Sequence, residues 1–156
     1  MQELTPLHLP PAPLKLQRQA DQKLLVQCLI RRKFLVLTPE EWVRQHLIAY
    51  LHLNQGFPLE KISVEKQIRF DGFTKRWDIV VFDNAFQPLM LIECKAPQIS
   101  LNESVLRQVA VYQRNIQAPF IALSNGMTHL IYKLDAEIGT IEQCENFPSA
   151  PNFEKN

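Results

Sequence analysis

The apolar run Leu89-Met90-Leu91-Ile92 passes without a break into Glu93-Cys94-Lys95, and this junction constrains the fold more than any other stretch. A strand this apolar belongs deep in a sheet, and charges at its end need a compensating partner. A second short apolar run, Trp77 to Asp83, precedes it across Asn84 and Pro88, so the two read as a hairpin. If the hairpin is symmetric about the Ala85–Phe86 bond, Asp78 faces Glu93 directly. Directly opposed residues hold their Cβ atoms about 4.5–5.5 Å apart, and two like charges so placed destabilise the pair unless something compensates. A divalent cation is the natural compensation, because Mg²⁺ accepts carboxylate oxygens at about 2.0–2.1 Å and keeps several waters. Lys95 lies two residues past Glu93 and so emerges on the same face, within reach of a metal-bound water. Val80, Phe82, Leu89 and Leu91 occupy that face toward the turn. The charged trio then forms a polar rim on a packed base, held by rigid backbone. The ordinary alternative is a solvated ion-pair cluster, against which the apolar run argues.

The rest of the chain supplies a frame for this hairpin. Thr38-Pro39-Glu40-Glu41 reads as a helix start, with Thr38 as N-cap, Pro39 at the first position and Glu41 closing a capping box. Val43, Leu47 and Leu51 then recur every fourth residue, which extends the helix to about Asn54, before Gly56. Ile62, Val64, Ile68 and Phe70 alternate with Ser63, Glu65, Gln67 and Arg69, a half-buried strand ended by Asp71-Gly72. Ser100-Leu-Asn-Glu103 is a second capping box opening a helix to about Ile116. Two strands, Phe120 to Leu123 and His129 to Leu134, flank the turn Asn125-Gly126. The order predicts an α/β domain with a mixed central β-sheet flanked by helices. A chain of 156 residues accommodates one such domain. The expected division is a Pro-rich N-terminal segment over 1–20, the domain over 21–144 and a flexible tail over 145–156, both ends loosely attached.

Composition excludes several classes. With 46% apolar and 21% charged residues the chain can bury a core. It lacks a basic region followed by an apolar leader, and no apolar run approaches the ~20 residues that span a bilayer, so the expected location is cytoplasmic. Cys28, Cys94 and Cys144 are odd in number and outside any CxxC pattern, which indicates reduced structural thiols. His46, His52 and His129 show no metal-binding spacing and are expected to be structural. With a net charge of +1, nucleic-acid contact must come from local clusters, Arg31-Arg32-Lys33 or Lys75-Arg76, each of which could equally be solvated surface.

Asp78 followed by Ile92-Glu93-Cys94-Lys95 resembles the bipartite motif of PD-(D/E)XK nucleases. Further blocks extend the match: Thr38-Pro39-Glu40-Glu41-Trp42-Val43-Arg44-Gln45, Arg76-Trp77-Asp78, Glu93-Cys94-Lys95-Ala96-Pro97, Gln108-Val-Ala-Val-Tyr112 and Ser124-Asn125-Gly126. Together they resemble the N-terminal nuclease domain of type I restriction enzyme R subunits. The resemblance implies a restriction-endonuclease-like core and a Mg²⁺-dependent DNA endonuclease, with Mn²⁺ as a substitute. It implies that Asp78, Glu93 and the Cys94 backbone carbonyl bind the metal and that Lys95 orients the attacking water and steadies the developing charge. Glu41 occupies the place of a helical acid pointing to the metal, with Glu40 as its substitute and the capping box as its alternative. Gln108 and Tyr112 share a helix face and correspond to a pair that influences cleavage, or else pack on the sheet. Arg76, with Lys75, contacts a phosphate or partners an acid.

The resembling R subunits carry helicase motors, whereas no GxxxxGK[ST] loop occurs here, so ATP-driven translocation is not expected of this polypeptide. A near-neutral nuclease domain binds DNA weakly. It is expected to act with restriction-modification or helicase partner subunits, as a homodimer or on a narrow substrate. The alternative is a nucleic-acid-binding or interaction module that keeps the fold with little turnover.

Overall fold

The computed structural model describes residues 4–70, 72–102, 104, 118–135 and 137–151. Helix α1 spans Pro39–Leu53. Thr38 stands in extended backbone and its Oγ1 accepts the Glu41 N–H at 3.0 Å, while Pro39 fills a position whose N–H would lack an intrahelical partner. The return half of the expected capping box does not form. The Thr38 N–H donates to the Val36 carbonyl instead, at 3.1 Å, which leaves the Glu41 carboxylate free to turn elsewhere.

Three short strands precede the helix: β1 (Leu16–Arg18), β2 (Leu24–Gln27) and β3 (Phe34–Val36), which form a separate antiparallel sheet. Six strands follow it: β4 (Ile62–Phe70), β5 (Phe73–Phe82), β6 (Pro88–Cys94), β7 (Phe120–Ser124), β8 (His129–Asp135) and β9 (Thr140–Cys144). They lie side by side in chain order, with β6 and β7 parallel and every other pair antiparallel. The mixed α/β sheet is the one expected. The first sheet and β9 are additions, because strands of three or four residues are too short to show a period and β9 is exposed along nearly its whole length, with no apolar run to mark it.

A parallel pair requires a crossover between its strands. After β6 the Ser104 N–H donates to Asn102 Oδ1 at 3.1 Å, two residues beyond the start of the expected Ser100–Glu103 capping box, of which Glu103 lies outside the described residues. The remainder of the expected helix, with Gln108 and Tyr112, lies outside them as well.

Helix α1 covers one face of the main sheet. Val43, Leu47, Ile48 and Leu51 are fully buried there against Ile79, Val81, Met90 and Ile92, each such side chain contributing about 1.5–3 kcal/mol. The opposite face carries a second apolar cluster that includes Trp77, Val80, Leu91, Ile121 and Tyr132.

The described parts of both ends are packed rather than loosely attached. Leu7 and Leu9 lie against the α1-side core, and the His8 N–H donates to the Gly126 carbonyl at 2.8 Å. Phe147 is 5% exposed, and its carbonyl accepts from Gln55 Nε2 at 2.7 Å. These apolar residues stand singly among prolines and polar residues, so no periodicity announces their burial. Among the described residues no helix is long and apolar enough to cross a membrane.

Candidate active site

The β5–β6 ladder pairs Val81 with Met90, Val80 with Leu91 and Ile79 with Ile92. The anticipated register therefore holds, and Asp78 and Glu93 come one residue beyond its last pair. Nearer the turn a bulge between Val81 and Phe82 sets Phe82 opposite Pro88. The hairpin is not symmetric there, and Leu89 packs toward α1.

A second irregularity aims Asp78. The β4–β5 ladder runs from Val64↔Ile79 to Lys66↔Trp77 and omits the step between them, where Glu65 has φ +51°. Strict alternation would put Trp77 and Ile79 on one face. Instead Ile79 and Val64 pack on the α1 side, and Trp77 and Ile68 on the other. Asp78, at this change of face, turns toward α1 rather than joining Val80 as expected. Its Oδ1 lies 3.3 Å from Arg44 Nη2, and its Oδ2 accepts the Cys94 N–H at 2.8 Å.

Glu93 stands between Ile92 and Cys94, both in the α1-side core, so alternation directs it to the opposite face. Its Oε1 meets Lys75 Nζ there at 2.7 Å. The neighbouring carboxylates are thus neutralised by different cations. They still share one field: burial raises the Asp78 pKa, the Cys94 N–H and Arg44 oppose the rise, Glu93 adds to it and Lys95 opposes it. Lys95 is half-buried and in no ion pair among the described residues. Its N–H donates to the Ser124 carbonyl at 2.8 Å, tying the end of β6 to β7.

Arg44 organises the acids, and the sequence reading gave it no role. Its side chain, only 10% exposed, reaches Glu40 at 3.7 Å, Glu41 at 3.2 Å, Glu65 at 3.5 Å and Asp78 at 3.3 Å. The spacing of Glu40 and Glu41 four and three residues before Arg44 was a legible signal. Its links to Glu65 and Asp78 required the fold.

Glu41 belongs to this cluster. Burial raises its pKa against the pull of Arg44, and Glu41 Oε2 and Arg44 Nε are buried without a hydrogen bond, so their contact is one of charge alone. Glu65 is pulled below the usual carboxylate range, first by its hydrogen bond from Arg31.

Of the other expected residues, Arg76 is 64% exposed and lies 3.9 Å from Glu65, so the acid partner is the one seen. Lys75 is committed to Glu93. The Cys94 thiol is fully buried, and burial pushes its pKa well up, making it a structural thiol. Asn125 accepts the Met127 and Thr128 N–H groups and donates to the Ile99 carbonyl at 2.8 Å, which fastens the β7–β8 turn to the segment after β6. His46, His52 and His129 bond to Trp42, Phe57 and Ser124 respectively, in keeping with structural roles.

Among the described residues no three His, Cys, Asp or Glu side chains converge on a point. By donor chemistry Asp78 and Glu93, hard carboxylates on neighbouring strands one residue past the Ile79↔Ile92 pair, suit a divalent cation; to share one ion they have to turn from opposite faces and release Arg44 and Lys75.

A family model described as the type I restriction enzyme R protein N terminus matches residues 39–148, from the first turn of α1 to just beyond β9. No curated protein matches, and no solved structure does.

Proposed function

The chain belongs to the family of type I restriction enzyme R protein N termini, and from that premise we propose that it is a Mg²⁺-dependent endonuclease hydrolysing DNA phosphodiesters. The observation that carries this reading is the placement of Asp78 and Glu93 one step past the Ile79↔Ile92 pair, with Lys95 in the same field.

In this reading Asp78, Glu93 and the Cys94 carbonyl would hold the ion, with Glu41 approaching from α1, and Mn²⁺ would substitute. A bound Mg²⁺ supplies Lewis-acid polarisation of the phosphoryl group and a more acidic bound water. The Lys95 ammonium orients the attacking water and balances charge on the phosphorane-like transition state. The Cys94 N–H and Arg44 fix the Asp78 carboxylate in the unloaded site, and binding the ion would release it from Arg44. Gln108 and Tyr112 would influence cleavage from the following helix, and Arg76 would exchange Glu65 for a phosphate. Restriction-modification or helicase subunits, or a second copy of the chain, are the natural partners.

One observation favours the second reading, a DNA-binding or interaction module with little turnover: Arg44 and Lys75 already neutralise both acids without a metal. Plasmid nicking and Mn²⁺ binding, measured on the native chain, Glu93→Ala and Lys95→Ala, separate the two. Metal-dependent nicking lost in both variants supports the nuclease. Mn²⁺ binding without nicking supports the module, and an absence of Mn²⁺ binding that depends on Glu93 rejects the site.

A further inference from the structure

The β1–β3 sheet lies before the first residue that the family match covers, and its charge sets it apart. Residues 14–36 hold Lys15, Arg18, Lys23, Arg31, Arg32 and Lys33 against Asp21 alone. That is six cations to one anion, a net +5 in a chain of +1, so all other residues together carry −4. All six are exposed residues, Arg31 with its side chain 31% exposed. Of these six, only Arg31 is in an ion pair among the described residues, with Glu65. Phe34 and Val36, 40% and 50% exposed, lie on the β3 edge of the same sheet. A surface with this excess of unpaired positive charge repels itself in isolation and suits a polyanion.

The placement of the sheet says which polyanion. Its β2–β3 turn is fastened to α1 by the Leu29 N–H donating to Gln45 Oε1 at 3.0 Å. From that turn Arg31 pairs with Glu65, Glu65 with Arg44, and Arg44 with Asp78. An unbroken line of ion pairs therefore joins the basic turn to the candidate active site. Arg32, with φ +60°, sits at the apex of the turn between these contacts and Lys33. We infer that the β1–β3 sheet is the surface on which the DNA backbone lies beside the cleavage site. Phosphates contact Lys15, Arg32 and Lys33, and Phe34 offers a ring to a base or sugar. This inference rests on the nuclease reading, and it moves the main DNA contact away from Lys75 and Arg76, which face acids within the fold.

The test is fluorescence anisotropy of a short labelled DNA duplex in EDTA, over a range of salt concentrations. It compares the native chain, the triple variant Lys15→Ser/Arg32→Ser/Lys33→Ser, and the control Lys133→Ser on β8. Each neutralised phosphate contributes about 0.9 to the salt slope, so the triple variant should lose about 2–3 units of slope and about tenfold or more in affinity. The control should bind like the native chain. A folded triple variant with native affinity and slope overturns the inference, as does a native chain that ignores the duplex and binds anionic phospholipid vesicles. Mn²⁺ titration of the same proteins keeps the two readings apart. Lost DNA binding with native Mn²⁺ binding supports the sheet, and sheet-dependent DNA binding without Glu93-dependent Mn²⁺ binding retains the surface while rejecting the nuclease.

Discussion

Arg44 shows how one residue can hold a cluster of acids together. Four carboxylates within 4 Å of a nearly buried guanidinium would repel one another without it, and removing one partner of a buried ionic cluster typically costs about 3–5 kcal/mol. Arg44→Met should therefore lower the free energy of urea unfolding by about that amount, and Arg44→Lys by less; equal stability of Arg44→Met and the native chain would show the cluster to be incidental. Two histidines give a pH dependence. Burial lowers the pKa of both His46 and His129 below 6.5, so the unfolded chain binds protons more readily there. Their contribution is complete above pH 6.5 and is lost as pH falls through that value toward the folded pKa. Because His129 Nε2 meets the His8 carbonyl at 3.1 Å and Nδ1 meets Ser124 Oγ at 2.7 Å, His129→Gln should flatten the fall in melting temperature between about pH 7 and 5. An unchanged profile would place the effect on His46. Burial raises the pKa of Glu41 and Asp78, which acts in the opposite sense at lower pH, because the folded state then binds the extra proton.

At the scale of elements, the β7–β8 turn clamps the N-terminal segment. Gly126 has φ +81°, and a Cβ there would stand 2.7 Å from Leu7 Cδ2 and 3.2 Å from Val43 Cγ2. Gly126→Ala combines left-handed backbone strain of about 1–3 kcal/mol with that clash. Limited proteolysis should then cut before residue 14 faster than in the native chain. Native protease resistance would mean that the segment is held elsewhere, for example by the Trp42 Nε1 bond to the Thr5 carbonyl at 2.9 Å. The helix start was legible from Thr38 and Pro39, and so was the hairpin register that sets Asp78 beside Glu93. The facing of Asp78 was not, because alternation assumes regular backbone and Glu65 departs from it. The destination of Glu41 was not either, because the capping box competes with Arg44, and it is the Val36 carbonyl that takes the Thr38 N–H.

For the whole molecule, a ligand that binds only the folded state stabilises it by RT ln(1 + [L]/Kd), about 2.7 kcal/mol at a hundredfold excess over Kd. Mn²⁺ should therefore raise the melting temperature of the native chain and leave Asp78→Asn and Glu93→Gln unmoved; a rise that persists in both variants would locate the ion elsewhere. The same ion has to displace charges already in place, so its effect should be larger in Lys75→Met, where Glu93 loses its cation. Charge is divided across the molecule as well, with the small basic sheet set against an otherwise acidic body.

The sequence by itself determined the elements marked by an apolar pattern, α1 and strands β4 to β8, and through them the mixed sheet and the adjacency of Asp78 and Glu93. These features follow from local propensity and hydrophobic spacing, which act over a few residues. Tertiary structure alone decided which cation meets which acid, the burial of Leu7 and Phe147, and the assembly of three short strands into a basic sheet beside the candidate site. Those outcomes depend on residues far apart in the chain, and no local pattern encodes a contact between Arg44 and Asp78 across 34 positions.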